Sequence, residues 1–403
     1  MTLVPRTAAV IALALGLSSA TSARELFILE AEGAVEAGHD LEEIVDDFIL
    51  RRGAFSGLPL TATGTLDYLG VADAIRFSAA SPNSVIVSIP STGFSRAFVG
   101  TSPDDVEDQI EEFFEDDGAD ELAEFYEQTS SRTPLALLDG NPRSTTALFA
   151  RGAFDRFGLG ALRPHDPDDD GGHFDLFADA SGGGVDADPF EDLWVADASL
   201  TIGGEADPGV GLYFTGMGQY RNYDHADIYD AGVELAVPIR ILRPGGGNPV
   251  RWMLTPLVQT GGGASRETLS GGYMVGGGGV NSLGLNAGPL EFTIANSIFY
   301  YGGVDLGEIE DISIDTELDQ WITRNGAKLA IYPLGKERLW FESGVSLTNF
   351  LGTHGAIDWY ASPFAAVGVK ILDVVRMRLG WESDFGDSDY AAHTARADFG
   401  FEF

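Results

Sequence analysis

The chain has 403 residues, with 62 Asp+Glu against 24 Lys+Arg, a formal charge of −38 at pH 7, and no cysteine. That charge argues against nucleic acid as a partner, because phosphate contacts need a basic face, and the lack of Cys removes disulfides, thiolate metal sites and Cys nucleophiles. Gly supplies 52 residues, close to twice the usual ~7 per cent, and the mean hydropathy is +0.02, which favours many strands and turns over apolar helical spans or a disordered acidic tail.

Residues 1–23 carry Arg6, an apolar run from Ala8 to Leu17 and the small residues Thr21-Ser22-Ala23. The run is too short for a bilayer span of ~20 residues and reads as a cleaved secretory signal, with the mature chain starting at or near Arg24. Residues 24–134 then hold 24 acids against 6 bases and predict a small acidic α+β domain, placed in the periplasm or folded into a lumen as a plug. Leu41, Ile44, Val45, Phe48 and Ile49 recur at helical spacing between Asp40 and Arg52, and Gly53 supplies a stop. Residues 74–79, 84–89 and 94–99 predict a strand meander with turns at Ser81-Pro82-Asn83 and Ser91-Thr92-Gly93. Ser102-Pro103 opens a second helix, with Ser as N-cap, Pro at the first helical position and Asp104, Asp105 and Glu107 at the positive end of the dipole. Its apolar stripe is Val106, Ile110, Phe113 and Phe114. A shorter helix with Leu122, Phe125 and Tyr126 follows. Stripes of this kind read as core.

From residue 135 to 403 the pattern changes. Thr145 to Phe157 is the candidate first strand, and an acidic stretch near 165–191 is then an external loop. Within it Asp166, Asp168 and Asp170, followed by Gly171, match the start of a calcium loop, although the twelfth position, where a bidentate Glu belongs, is Phe177. Calcium is thus a possible ligand there; no other cofactor is expected. From Asp192 on, runs of 10 to 14 residues alternate with period two and close on Gly, Asp, Asn or Pro. Eleven such runs begin near Asp192, Gly209, Tyr229, Val250, Gly271, Pro289, Gln320, Arg338, Asp358, Asp373 and Tyr390. In the last, Ala395, Ala397, Phe399, Phe401 and Phe403 share one face and Arg396, Asp398, Gly400 and Glu402 the other. A strand separates such sets automatically and a helix cannot.

These runs exceed the length of soluble strands and match the ~9–11 residues of a tilted transmembrane strand. They carry Arg and Glu mid-strand, and the chain finishes on a strand with Phe399, Phe401 and Phe403 on one face. The last ~210 residues therefore resemble bacterial outer-membrane β-barrels of autotransporter-like or porin-like type. The resemblance implies an all-β fold: a closed antiparallel transmembrane barrel of about 12 strands preceded by the small α+β domain. It also implies that Phe399, Phe401 and Phe403 act as an assembly signal. Its implied partners are outer-membrane lipid, lipopolysaccharide and the barrel-assembly machinery, with the outer membrane as location. Even strand numbers keep both barrel ends on the periplasmic side, which calls for one strand upstream of the eleven.

Turning the apolar set outward sends Arg221, Arg240, Arg251, Arg324, Lys328, Lys370, Arg376, Arg378 and Arg396 inward, with Asp197, Glu234, Glu291, Glu342, Glu382, Asp398 and Glu402. The lumen-lining set put forward is Arg240, Arg251, Lys328, Glu234, Glu342, Arg376 and Arg378. Charges on the lipid face would cost ~2–4 kcal/mol each near the midplane. Such a lumen is either a polar passage for small solutes or a salt-bridged, filled interior. None of the six His (His39, His165, His173, His225, His354, His393) has zinc-protease spacing, and no Gly-x-Ser-x-Gly elbow is present. The expectation is a non-enzymatic channel or surface protein; the alternatives are an autotransporter-like barrel and a structural or adhesive protein with a closed lumen.

Overall fold

The computed structural model describes residues 26–38, 41–114, 125, 129, 133, 136–160, 173–187, 190–206, 209–223, 226–242, 248–265, 270–304, 307–309, 312–314, 318–333, 338–352, 356–372, 375–387 and 390–402. Strands β1 (Phe27–Ala31), β2 (Ala34–Gly38), β3 (Thr63–Tyr68), β4 (Val71–Ser81), β5 (Ser84–Ile89) and β6 (Phe94–Val99) form one antiparallel sheet in the order β2-β1-β3-β4-β5-β6. Two helices, Leu41–Leu50 and Pro103–Glu112, pack on it and on each other.

The first helix buries Leu41, Ile44, Val45, Phe48 and Ile49, the stripe expected from spacing. Ser102 caps the second by accepting from Asp105 N at 3.2 Å. Asp105 reaches back to the Thr101 N–H at 2.6 Å, so one orphan donor of the first turn and the amide just before the cap are both satisfied. Strands β1, β2 and β3 had no sequence signal, for a local reason. Their hairpins turn on Glu32-Gly33 and Leu69-Gly70, with φ of 52° and 86° in one and 48° and 82° in the other. Two successive positive φ values make a type I′ turn, which sequence normally announces with Asn-Gly or Asp-Gly; Glu and Leu conceal it.

The second sheet closes on itself. Its strands are β7 (His173–Ala187), β8 (Phe190–Ala206), β9 (Val210–Tyr223), β10 (Ala226–Ala236) continued by β11 (Ile239–Leu242), β12 (Val250–Ser265), β13 (Ser270–Ala287) and β14 (Leu290–Gly303). After a small hairpin of β15 (Gly307–Ile309) and β16 (Ile312–Ile314) come β17 (Asp319–Ile331), β18 (Leu339–Gly352), β19 (Trp359–Leu372), β20 (Val375–Gly386) and β21 (Ala391–Glu402). β21 pairs antiparallel with β7, from Ala391↔Asp186 to Glu402↔Asp175, which removes the last free edge. β10 and β11 are one strand interrupted at Val237-Pro238, opposite Pro256 of β12. Neither proline can donate to a ladder, and Val237 N donates to Pro256 O at 3.0 Å across the break. Counted so, the barrel has twelve strands.

All eleven alternating runs are strands. The twelfth, however, is His173–Ala187, and Thr145–Phe157 is helical. Most of the stretch near 165–191 is accordingly no external loop: residues 173–187 and 190–206 are barrel wall, while 165–172 and 188–189 lie outside the described residues. The acids misled because they were counted as a cluster and not by face. On β7, Asp175 and Asp179 point inward to Tyr213 and Ser199, while Phe174 and Leu176 point outward beside Ala178 and Ala180.

The outer wall carries the exposed Phe214, Leu254, Val275, Ile294, Ile298, Leu329, Phe341, Val345 and Leu379. Two ends can be told apart. β7 starts and β21 finishes at the near end; the strand ends Ala187 and Phe190, Tyr223 and Ala226, Ser265 and Ser270, and Gly386 and Ala391 lie at the far end. Trp194, Tyr220, Tyr229, Tyr300, Trp321, Trp359, Trp381 and Phe385 ring the far end, as an interfacial aromatic girdle does.

Candidate functional site

The lumen is occupied by the chain's own helix, Thr145–Ala153, continued by a wider turn over Phe154–Gly158. Ser144 caps it, accepting from Ala147 N. Its first turn is tied to the far end. Thr145 Oγ1 donates to Asp230 Oδ1 at 2.7 Å, Thr146 Oγ1 donates to Gln320 Oε1 at 2.6 Å, and Arg143 donates to Asp384 at 2.8 Å. Its last turn is tied farther down the barrel, where Ser282 donates to Gly158 O at 2.7 Å. The chain thus crosses the lumen once, from far end to near end, before the first strand begins.

The wall is shaped to receive this helix. Gly232 and Gly261, a cross-strand pair on β10 and β12, leave a niche filled by the tip of the Phe149 ring; a Cβ at either position would collide with it. Gly326 receives Phe154 in the same way, and Gly158 lets the helix approach Ala295 and Val280. Phe149, Phe154, Phe157, Val280, Ala295 and Phe299 form one buried cluster inside the barrel. A helix with both apolar and charged residues fully buried has no outward face to betray it by period, so the sequence pattern alone misread it.

Charges on helix and wall are matched. Arg156 donates to Glu234 at 2.8 Å, with both side chains essentially inaccessible, and Gln259 donates to the other Glu234 oxygen at 2.6 Å. Arg151 pairs with Asp197 of β8. A continuous chain of alternating sign then runs Lys328, Glu342, Arg378, Asp398, Arg396, Asp155, Arg324, Glu382. Its successive links are 3.4, 2.9, 2.6, 2.7, 2.6, 3.9 and 3.9 Å. Asp155, from the helix, is the member that joins β21 to β17. These eight side chains are four cations and four anions, and Asp179 of β7 joins Arg396 at 3.8 Å as a fifth anion, so charge is nearly balanced inside a strongly acidic protein, as desolvated charges require.

Of the sequence-derived lumen residues, Glu234, Glu342, Lys328 and Arg378 lie in these contacts. Arg240 pairs with Glu205, and Arg251 with Glu291 at 3.2 Å. Arg376 is half-buried near the near end, opposite Gly400 and Lys370. Sequence reasoning missed Arg143, Arg151, Asp155 and Arg156, which sit on the misread segment. It also missed Asp179, Glu205, Asp230 and Asp384, although Asp230 shares parity with Glu234 and Asp384 with Glu382. Phe399 and Phe401 lie on the outer wall of the closing strand, opposite Ala178 and Leu176 of β7; Phe403 lies outside the described residues. So do residues 1–23 and Asp166, Asp168 and Asp170. Among the described residues, no group of three or more His, Asp or Glu is arranged to hold a metal. His393 is exposed on the outer wall, stacked on Trp381 and bonded to Ser383.

Two cavities along the helix, bordered by Asp155, Glu382 and Arg396, measure about 30 and 40 Å³, room for one or two waters each.

At the far end the core of the six-stranded sheet does not stop at the domain. The cluster containing Phe27, Leu66, Phe77 and Phe125 also takes in Val185, Leu193, Val195, Ile357, Tyr390 and Ala392 of the barrel. The N-terminal domain therefore sits on the end opposite β21's finish.

A closed cylinder of twelve antiparallel strands, apolar outside and charged inside, is the architecture of an outer-membrane β-barrel. No protein-family model matches the chain, and no curated protein does. Among solved structures it is similar to the translocator domain of the autotransporter NalP from Neisseria meningitidis, at 13% identity and a TM-score of 0.43, over 64% of this chain and 96% of that one. It is also similar to the β domain of the Bordetella autotransporter BrkA, at 11% identity and 0.41 over 58% and 100%. An outer-membrane channel from Pseudomonas putida F1 follows at 9% and 0.43 over 60% and 100%. The barrel assignment stands on the chain's own strand pairing, not on these likenesses.

Proposed function

We propose that this protein is a non-enzymatic display barrel: it holds its acidic N-terminal α+β domain on the outer surface and keeps its lumen closed with its own helix. The observation that carries the reading is the path of residues 136–160. The chain descends from the domain through the lumen toward the end where the barrel strands begin and finish. In even-numbered single-chain barrels that end faces the periplasm, so the domain faces outward. The glycine niches for Phe149 and Phe154 and the ion pairs between helix and wall support a permanent rather than removable helix, since Glu234 and Asp197 of the wall have Arg156 and Arg151 as partners only with the helix in place. Export by residues 1–23 belongs to the same reading and predicts a mature chain starting at or near Arg24 by intact mass.

An epitope inserted at Gly57, an exposed turn with open space around its Cα, tests the orientation. The expected result is antibody labelling of intact cells; labelling only after the outer membrane is permeabilised would place the domain in the periplasm and end the display reading. The pure protein should give no steady single-channel steps in planar bilayers, whereas such steps would favour a solute channel.

A further inference from the structure

Among the described residues, the outer wall of the barrel carries three carboxamides side by side at mid-height. Asn281 on β13, Asn296 on β14 and Asn325 on β17 lie directly opposite one another in the ladder, Asn281↔Asn296 and Asn296↔Asn325. All three point outward, in step with the exposed Leu283, Ile294, Ile298, Trp321 and Leu329. Asn325 is the middle residue of the 13-residue β17, and Asn296 lies mid-strand in the 14-residue β14. The row is thus at the level of the hydrocarbon centre, ~12 Å from either polar interface of a band ~25 Å tall.

A carboxamide offers two N–H donors and an acceptor with two lone pairs. Within the row, Asn296 Nδ2 donates to Asn325 Oδ1 at 2.7 Å, and Trp252 Nε1 donates to Asn281 Oδ1 at 2.7 Å. Asn281 Nδ2, Asn325 Nδ2 and Asn296 Oδ1 find no partner among the described residues. Acyl chains can supply none, headgroups are too far away, and polar groups left open in hydrocarbon are costly. Beside the row, Gly277 and Gly279 of β13 leave the outer wall bare of side chains, so another surface can come close to the backbone.

We infer that this face of β12, β13, β14 and β17 is an interface with a second copy of the same chain. The amide is self-complementary, carrying donor and acceptor side by side, and two barrels related by a two-fold axis along the membrane normal present the row to itself in reverse order. Asn296 then meets Asn296 of the second copy at the axis, and Asn281 meets Asn325. Asn281 Nδ2 can then donate to the second lone pair of Asn325 Oδ1 in the second copy, Asn325 Nδ2 to that of Asn281 Oδ1, and the two Asn296 amides can exchange Nδ2–H to Oδ1 bonds across the axis. This inference is independent of which way the N-terminal domain faces.

The chain has no cysteine, so single-Cys variants of the full-length protein in lipid bilayers report the geometry directly. Asn296→Cys should form a disulfide-linked dimer with a membrane-permeant oxidant. Asn281→Cys or Asn325→Cys alone should not, while a mixture of those two should. Single-molecule counting in bilayers should give dimers for the wild type. The triple variant Asn281→Leu, Asn296→Leu, Asn325→Leu should fall to monomers, with association weakened roughly tenfold or more, and Asn296→Gln should keep dimers. Retained heat-modifiable gel mobility shows that the Leu variant still folds as a barrel. A wild type that is monomeric in bilayers overturns the inference, and so does a triple variant that still dimerises. Cross-links found instead at a remote outer-wall cysteine such as Ala395→Cys, or a different protein occupying the row, overturn it equally.

Discussion

In β3, Gly64, Leu66 and Tyr68 are buried while Thr63 and Thr65 face out; in β14, Ile294, Ile298 and Tyr300 are exposed while Thr293, Ser297 and Tyr301 are buried. The two regions use the same alternation and resolve it in opposite directions. The small sheet lays its apolar face under two amphipathic helices and gives the rest to water. The barrel gives its apolar face to lipid and must then dispose of charge in a lumen occupied by its own helix. Hence the difference in their charge economies: the domain carries a large acid excess on a solvated surface, while the lumen pairs every long cation it can reach. A helix is the partner in both cases, but one helix lies on a sheet as a cover and the other is surrounded as a core.

The sharpest way to break that contrast is to deny the lumen helix its seat. Gly232→Leu puts a side chain where the Phe149 ring sits, so the helix must leave the wall; the expected outcome is a silent barrel turned conductive, read as single-channel steps, with twelve-strand folding retained. Next, Arg156→Met leaves Glu234 buried without its cation. Removing one partner of a buried pair typically costs ~3–5 kcal/mol, visible as a lower urea midpoint of barrel unfolding, and Arg156→Met with Glu234→Met together should recover most of it. In the small domain Phe48 packs on Phe55 and Phe77; Phe48→Ala should cost ~3–5 kcal/mol and expose the domain to protease while barrel mobility on gels stays unchanged.

The smallest expected effect concerns pH. Asp46 of the first helix faces Glu107 of the second; burial, with that carboxyl and those of Glu42 and Glu111 adding to it, pushes its pKa up to about 7. A carboxyl raised in the folded state holds more protons than in the unfolded chain between roughly pH 4 and 7, so the folded domain gains from acidification across that window. Proteolysis of the domain should therefore be slower at pH 5.5 than at pH 8, and Asp46→Asn should flatten the dependence and protect at pH 8. Slower proteolysis at pH 8 in the wild type would contradict the pairing.

How much was legible depended on whether the signal was local. Both amphipathic helices, the Ser102 cap and eleven barrel strands could be read because each depends on residues within a few positions of one another. The inward set from Glu234 to Asp398 followed from parity once the lipid side was chosen. Thr145–Phe157 failed the same procedure because a segment buried on every side has no polar face to set its period, and β7 failed because its acids were weighed as a block. The strands before β4 were hidden by type I′ turns built on Glu-Gly and Leu-Gly.

By itself the sequence determined the period of each strand, the caps of the helices and the segregation of charge from the lipid face, since these are properties of neighbours along the chain. Only the tertiary structure decided that residues 145–158 fill the lumen, that Arg143 meets Asp384 and Asp155 meets Arg396 across 241 residues, and that the small domain rests on the far end. Those contacts exist because closure brings every strand within reach of one central helix, and closure is a property of the whole sheet that no stretch of it carries alone.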